Sequence, residues 1–214
     1  VLEYPPVEKL RRTDRTGFTH MMANNETGEI FDIHSIRRNA HNALFACDAT
    51  AAVGQIPVDF KSLGVDYLAF GAHKFGGISG IGCLIVKKDT PLLSMIRGGG
   101  QEWGKRGGTE SVALACAMAA ALHERTNKML IGMKQIALCR DLLITNLFRF
   151  VPDTYVNGPY TPGDVLLRLP GNANLSFLGV ESQALVMALS AEGVYASSGS
   201  ACTSGEADGS YVLR

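Results

Sequence analysis

The chain has 214 residues, 46% of them hydrophobic, enough for one large domain or two modest ones. Lys and Arg number 20 and Asp and Glu 20, so no strong field draws the protein to nucleic acid or to an acidic membrane surface. No apolar run approaches the roughly 20 residues that a bilayer-spanning helix needs, and the basic cluster Lys9, Arg11 and Arg12 is offset by Asp14 and reads as a solvated face.

Short apolar runs alternate with helical patterns through the first half. Residues 18–23 read as a buried strand, stopped by the turn Asn24-Asn25-Glu26-Thr27-Gly28. Residues 33–42 read as a helix with Asp32 as its N-cap. Residues 43–47, 65–70 and 81–86 are the next strands, the first ending at Asp48 and the second at Gly71-Ala-His-Lys74. Such alternation argues for a mostly parallel sheet covered by helices, an α/β fold. In open sheets of this kind the ligand site lies beyond the carboxyl ends of the strands, where Asn25, Asp48 and Lys74 stand.

The pattern then changes. Residues 111–122 are Ala-rich and helical, and 129–150 continue as one or two amphipathic helices. A turn at 157–160, a strand at 174–178, a helix at 181–190 and a short strand at 194–196 follow. The expected division is a larger domain over residues 1–125 and a smaller α+β domain over 126–214. The chain opens without Met and closes inside an incipient helix, so it reads as a piece of a longer one.

The cysteines, Cys47, Cys83, Cys116, Cys139 and Cys202, are odd in number and form no CxxC pair, which argues against a metal site and for a reducing, cytosol-like compartment. Cys47, Cys83 and Cys116 lie in apolar runs and read as core residues, and Cys139 as a structural residue on a helix. Cys202 differs. Its segment, Ser197-Ser-Gly-Ser-Ala-Cys-Thr-Ser-Gly205, consists almost entirely of small residues that build no core. A thiol placed there is exposed and suits nucleophilic work.

Lys74 follows an apolar strand beside His73 and Phe75-Gly-Gly77. Partial desolvation there would favour the neutral amine that Schiff-base chemistry needs, although an exposed loop lysine is the plainer alternative. Asp48, ending the preceding strand, offers a carboxylate for a pyridinium nitrogen, or simply caps its turn. The segment Gly98-Gly-Gly100 to Gly107-Gly-Thr109 permits close backbone approach, and Thr109 offers a hydroxyl to a phosphate, but the run lacks a Walker pattern.

Together Asn24-Asn25-Glu26-Thr27-Gly28, Asp48-Ala-Thr50, Ala72-His73-Lys74, Arg106-Gly-Gly-Thr109 and Ser197 to Ser204 around Cys202 resemble cysteine desulfurases of the NifS/IscS kind, in family order and nearly family spacing. The resemblance runs from about Phe18 to Arg214. It implies a fold-type I enzyme that uses pyridoxal 5′-phosphate (PLP), a homodimer, converting L-cysteine to L-alanine and an enzyme persulfide. The persulfide would feed a sulfur-acceptor protein or an iron–sulfur scaffold, in the cytoplasm or an organelle matrix. By the same resemblance Lys74 is the Schiff-base lysine, Asp48 the pyridinium partner, and Asn25 a neighbour of ring and substrate. His73 belongs to the phosphate cup, and Thr109 reaches the phosphate of the cofactor in the other subunit. Cys202 is the persulfide cysteine and Arg214 grips the substrate carboxylate, a geometry that suits a bidentate guanidinium.

Two positions depart from the family. Ala51 replaces the usual Gln, and Gly71 replaces a Ser, each removing a hydrogen bond to the cofactor. Two other classes therefore stay open: a PLP lyase or transaminase of the same fold, which needs no loop thiol, and a catalytically impaired relative acting as a binding scaffold.

Overall fold

The computed structural model describes residues 17–40, 42–199, 210 and 212–213. These form two compact units. The first gathers residues 17–22 and 32–129, the second residues 23–31 and those from 130 onward.

The first unit is built on a four-stranded sheet of β1 (Gly17–Met21), β2 (Leu44–Asp48), β3 (Tyr67–Gly71) and β4 (Gly82–Val86), in that spatial order. β1, β2 and β3 run parallel, with Met21 opposite Asp48 and Asp48 opposite Ala69. β4 returns antiparallel to β3, so the sheet is mixed. A connection of only ten residues between β3 and β4 is shorter than a parallel crossover requires. The central strands carry the core: Phe45, Cys47, Leu68 and Phe70 are buried, joined by Ala49, Ala52, Ala72 and Phe75 beyond the strand ends. β1 is half-exposed rather than buried, since it stands at the sheet edge.

The connections follow from capping chemistry. α1 (Ile33–Asn39) starts at Asp32, whose carboxylate accepts from Ser35 N at 3.0 Å. The short α2 (Phe60–Leu63) is capped by Asp59, which accepts from Lys61 N at 3.0 Å, and ends at Gly64 with φ of +69°. Asp66, buried just before β3, accepts from Phe45 N at 2.9 Å and pairs with Arg37 at 3.5 Å.

A single helix, α3 (Val112–Phe150), replaces the separate helices expected over 111–122 and 129–150. Gly132 costs about 1 kcal/mol inside a helix and does not break it. Its later part belongs to the second unit, where it presents Met133, Ala137, Arg140, Asp141 and Ile144 to a small core. That unit also holds a two-stranded antiparallel ribbon, β5 (Thr154–Val156) and β6 (Leu175–Phe177), and α4 (Ser182–Ala191). Glu181 caps α4, accepting from Gln183 N at 3.0 Å and Ala184 N at 2.6 Å, and these bonds hold its carboxyl below the usual range. Residues 194–196, expected as a strand, are irregular.

Arg168 is the largest buried side chain of the second unit, at 1% exposure. It donates to Pro159 O at 2.9 Å, to Asn172 Oδ1 at 2.7 Å and to Asn157 O. Arg140 bonds Asp141 Oδ1 at 2.8 Å and Asp164 O at 3.1 Å, while Asp141 Oδ2 accepts from Gly163 N at 2.7 Å. Burial works against the Asp141 charge, yet these bonds win and hold its carboxyl below the ordinary carboxylate range.

Candidate active site

The chemistry-bearing residues of the first unit collect at the carboxyl edge of the parallel strands. Asp48 is the last residue of β2 and its side chain is exposed. Its Oδ1 accepts from Thr50 N at 2.8 Å, so the turn-capping role is real and leaves the rest of the carboxylate facing outward. β3, the neighbouring parallel strand, ends at Gly71 and passes into one turn of 3₁₀ helix, Ala72–Phe75, which carries His73 and Lys74. Ala49 N donates to Ala69 O at 2.8 Å, which locks the register of the two strand ends just behind these side chains. Thus Asp48, His73 and Lys74 share one edge of one sheet.

Small residues make the turn possible. Ala72 and Phe75 are buried beneath it, at 0% and 2% exposure. A Cβ on Gly77 would stand 2.7 Å from the Ala72 Cβ, and one on Gly54 only 2.4 Å from the Phe75 Cβ. The chain must therefore be glycine at both places for the turn to pack down. His73 and Lys74 then point outward by default, and both are exposed. The desolvated lysine expected from the sequence is not found: the apolar run of β3 ends before Lys74, and its polar flank faces out.

Gly71 matters in another way. A Cβ built there would meet Cε1 and Nδ1 of the His73 ring, each at 3.0 Å. The imidazole thus lies over the position where the family's serine would stand.

The glycine-rich segment is a backbone clasp. Gly107 N donates to Ile96 O at 2.8 Å, and a Cβ on Gly107 would come within 2.6 Å of Gly98 N. The two glycine runs pack directly on each other, which explains both. Between them Glu102 and Trp103 adopt left-handed φ values of +48° and +54°. Thr109 is exposed and lies three residues before α3.

Asn25 belongs to the second unit. It sits exposed in a turn whose base is Asn24, buried, with Oδ1 accepting from Glu26 N at 2.8 Å and Thr27 N at 3.0 Å. Asn172 and Asn174 donate to Glu26 O at 2.8 and 3.0 Å. Gly28 closes the turn at φ of +75°. Cys202 and Arg214 lie outside the described residues.

The other thiols separate by environment. Cys47 is buried, and burial, with Asp48 next to it, pushes its pKa up to about 12. Burial and then Glu102 also raise the half-buried Cys83. Cys116 and Cys139 are exposed on α3, which corrects the core reading of Cys116. An apolar, Ala-rich run in a long helix does not reveal which face is covered. Among the described residues no cluster of His, Cys, Asp and Glu is arranged for a metal ion.

Comparison with known proteins gives this edge a context. The aminotransferase class-V family model matches residues 2–210. A cysteine desulfurase of Klebsiella pneumoniae is 42% identical over 196 residues, covering 91% of this chain and 48% of that protein. The solved structure of a NifS-like protein superimposes with a TM-score of 0.82 at 30% identity, covering 90% of this chain and 52% of the other. A structure described as SspA in complex with cysteine matches with a TM-score of 0.73 at 25% identity, over 97% of this chain and 56% of that one. The chain belongs to the aminotransferase class-V family. It spans about half the length of the curated relatives it matches. The expected α/β, fold-type I architecture and the NifS/IscS-like resemblance are both borne out.

Proposed function

We propose that the whole protein is a PLP-dependent cysteine desulfurase, and the observation that carries this is the placement of Asp48 at the end of β2 and Lys74 just past the end of the neighbouring parallel strand β3. A carboxylate, an imidazole and a primary amine at one sheet edge form the donor set that a pyridine aldehyde bearing a phosphate requires, so the residues present fit PLP. When bound, that cofactor supplies an electron sink for chemistry at the substrate Cα and Cβ. Asp48 would hold the ring nitrogen protonated. Lys74 would hold the cofactor and would carry a proton to or from the substrate Cα.

The remaining roles follow the resemblance. Asn25 serves ring and substrate, His73 the phosphate, Thr109 the phosphate of the other subunit's cofactor in a homodimer, and Arg214 the carboxylate of L-cysteine. The Cys202 thiolate attacks the substrate sulfur. The Cβ–S bond breaks, an S–S bond forms, and the electron pair left on Cβ takes up a proton. L-cysteine and one Cys202 thiol thereby become L-alanine and a Cys202 persulfide. A sulfur-acceptor protein or iron–sulfur scaffold then consumes the persulfide, in the cytoplasm or an organelle matrix. The similarity to a structure of SspA with cysteine supports the choice of substrate.

The test is borohydride reduction of the full-length protein loaded with PLP, followed by peptide mass analysis. The reduced cofactor is expected on Lys74, and Lys74→Ala is expected to abolish it. Recovery of the cofactor on another lysine of the unmodified protein refutes the assignment.

A further inference from the structure

Glu26 is a buried carboxylate, 6% exposed, that the chemistry above does not use. A carboxylate removed from water is retained only where something bonds it. Its partner is far away in sequence: Ser210 Oγ donates to Glu26 Oε2 across 184 residues. Ser210 Oγ in turn accepts from Val212 N at 3.1 Å, so the hydroxyl joins the carboxylate to the turn that precedes Arg214. Gly199 comes to the same place. A Cβ built on it would lie 3.7 Å from the Ser210 Cβ and 3.9 Å from Glu26 Oε2. The two ends of the segment that contains Cys202 therefore meet at one buried carboxylate, all within the second unit.

The turn bearing Glu26 is held from behind. Asn24 bonds two of its N–H groups, Asn172 and Asn174 both donate to Glu26 O, and Leu169 N donates to Gly28 O at 2.8 Å. At Gly28 an added Cβ would stand 2.6 Å from the Asn172 side chain. Glu26 is thus a fixed point to which Ser210 is tied and beside which Gly199 lies, one residue after Asn25.

We propose that Glu26 is a positioning residue for sulfur transfer: through Ser210 it fixes the junction from which Cys202 and Arg214 depart. This rests on the desulfurase reading above. Glu26 acts on the loop and not on the cofactor, and its carboxylate serves as an acceptor, so glutamine can substitute for it. The loss of orientation at a reacting thiol slows transfer without touching cofactor loading, since a displacement of about 1 Å can cost up to about a hundredfold in rate.

The experiment uses the full-length protein carrying Ser210→Ala, Glu26→Ala or Glu26→Gln, and the pair Glu26→Ala with Ser210→Ala. Persulfide formation on Cys202 is followed in a single turnover at saturating L-cysteine, and iodoacetamide labelling of Cys202 is followed without L-cysteine. Ser210→Ala, which removes only a hydroxyl, is the variant that keeps the fold. It is expected to slow persulfide formation by about tenfold and to label faster, with cofactor content retained and the thermal midpoint lowered only by the loss of one bond to a buried carboxylate. Glu26→Gln is expected to recover most of the rate lost in Glu26→Ala, and the double variant to be no slower than Glu26→Ala alone. Unchanged transfer and labelling in Ser210→Ala overturn the proposal, as does an additive double variant. If the unmodified protein forms no persulfide the desulfurase reading fails by itself, and unchanged labelling in Ser210→Ala then overturns the Glu26 tie separately.

Discussion

Gln55 Nε2 donates to the backbone carbonyl of Lys74 at 3.1 Å, tying the loop that follows Asp48 to the turn that presents the lysine. Arg125 Nη2 extends the tie from α3, donating to Gln55 Oε1 at 3.4 Å. The two chemistry-bearing strand ends are therefore braced by one amide. Gln55→Ala is expected to keep the fold and to weaken PLP binding about two- to tenfold, the equivalent of one hydrogen bond worth about 0.5–1.5 kcal/mol. A PLP titration monitored by absorbance checks this. Unchanged affinity would mean that the 3₁₀ turn holds Lys74 without help.

Gly71 and His73 make a coupled prediction. Because the imidazole covers the space a Cβ would take, Gly71→Ser alone is expected to gain no PLP affinity. In a His73→Ala background the same serine is expected to tighten PLP binding relative to His73→Ala itself. The four titrations form a double-variant cycle, and additive effects would show that the two residues act independently.

Gly107 and Gly100 separate steric need from chance within the glycine-rich segment. A Cβ on Gly107 collides with the Gly98 backbone, whereas one on Gly100 meets nothing within 4 Å. Gly107→Ala is expected to lower stability by about 1–3 kcal/mol, and Gly100→Ala to stay within about 0.5 kcal/mol of the parent. Urea unfolding of the two variants makes the comparison.

Asp141 gives a pH-dependent stability with a definite sign. Its folded carboxyl lies below the unfolded value, so its contribution is present above about pH 4 and is lost as pH falls through the folded value. Asp141→Asn leaves the buried Arg140 guanidinium without its carboxylate and is expected to cost about 1–3 kcal/mol at pH 7. The gap between parent and variant should narrow as the pH is taken below that range, which urea unfolding at a series of pH values would show. A gap independent of pH would mean that the bond geometry matters and the charge does not.

Much of the first unit was legible because its signals are local. Apolar runs marked β1 to β4 within a residue or two, and Asp32 announced the start of α1. The direction of β4 was not legible, since the period of two is the same in both senses; only the short connection after β3 makes β4 antiparallel. Asp48, His73 and Lys74 were singled out because they stand at or just past strand ends. The exposure of Lys74 and the closeness of the His73 ring to Gly71 were hidden, because both depend on how Ala72 and Phe75 pack beneath the turn. Glu26 was read only as part of a turn motif. Nothing local distinguishes a carboxylate that bonds a serine 184 residues away. The buried Arg168 was missed for the same reason: its acceptors are mostly main-chain carbonyls, which leave no trace in side-chain composition.

The most direct test of the account is to locate the transferred sulfur. Full-length protein loaded with PLP is incubated with L-cysteine, and its cysteine peptides are examined by mass spectrometry. Cys47, with a pKa of about 12, stays a buried thiol and is a poor acceptor, whereas Cys116 and Cys139 are exposed and serve as internal controls. The account predicts one added sulfur atom on Cys202, release of L-alanine, and loss of both in Cys202→Ser while PLP remains bound. Added sulfur on Cys139 or Cys116, or a serine variant that makes L-alanine and sulfide at the parent rate, would contradict it and leave a PLP lyase in its place.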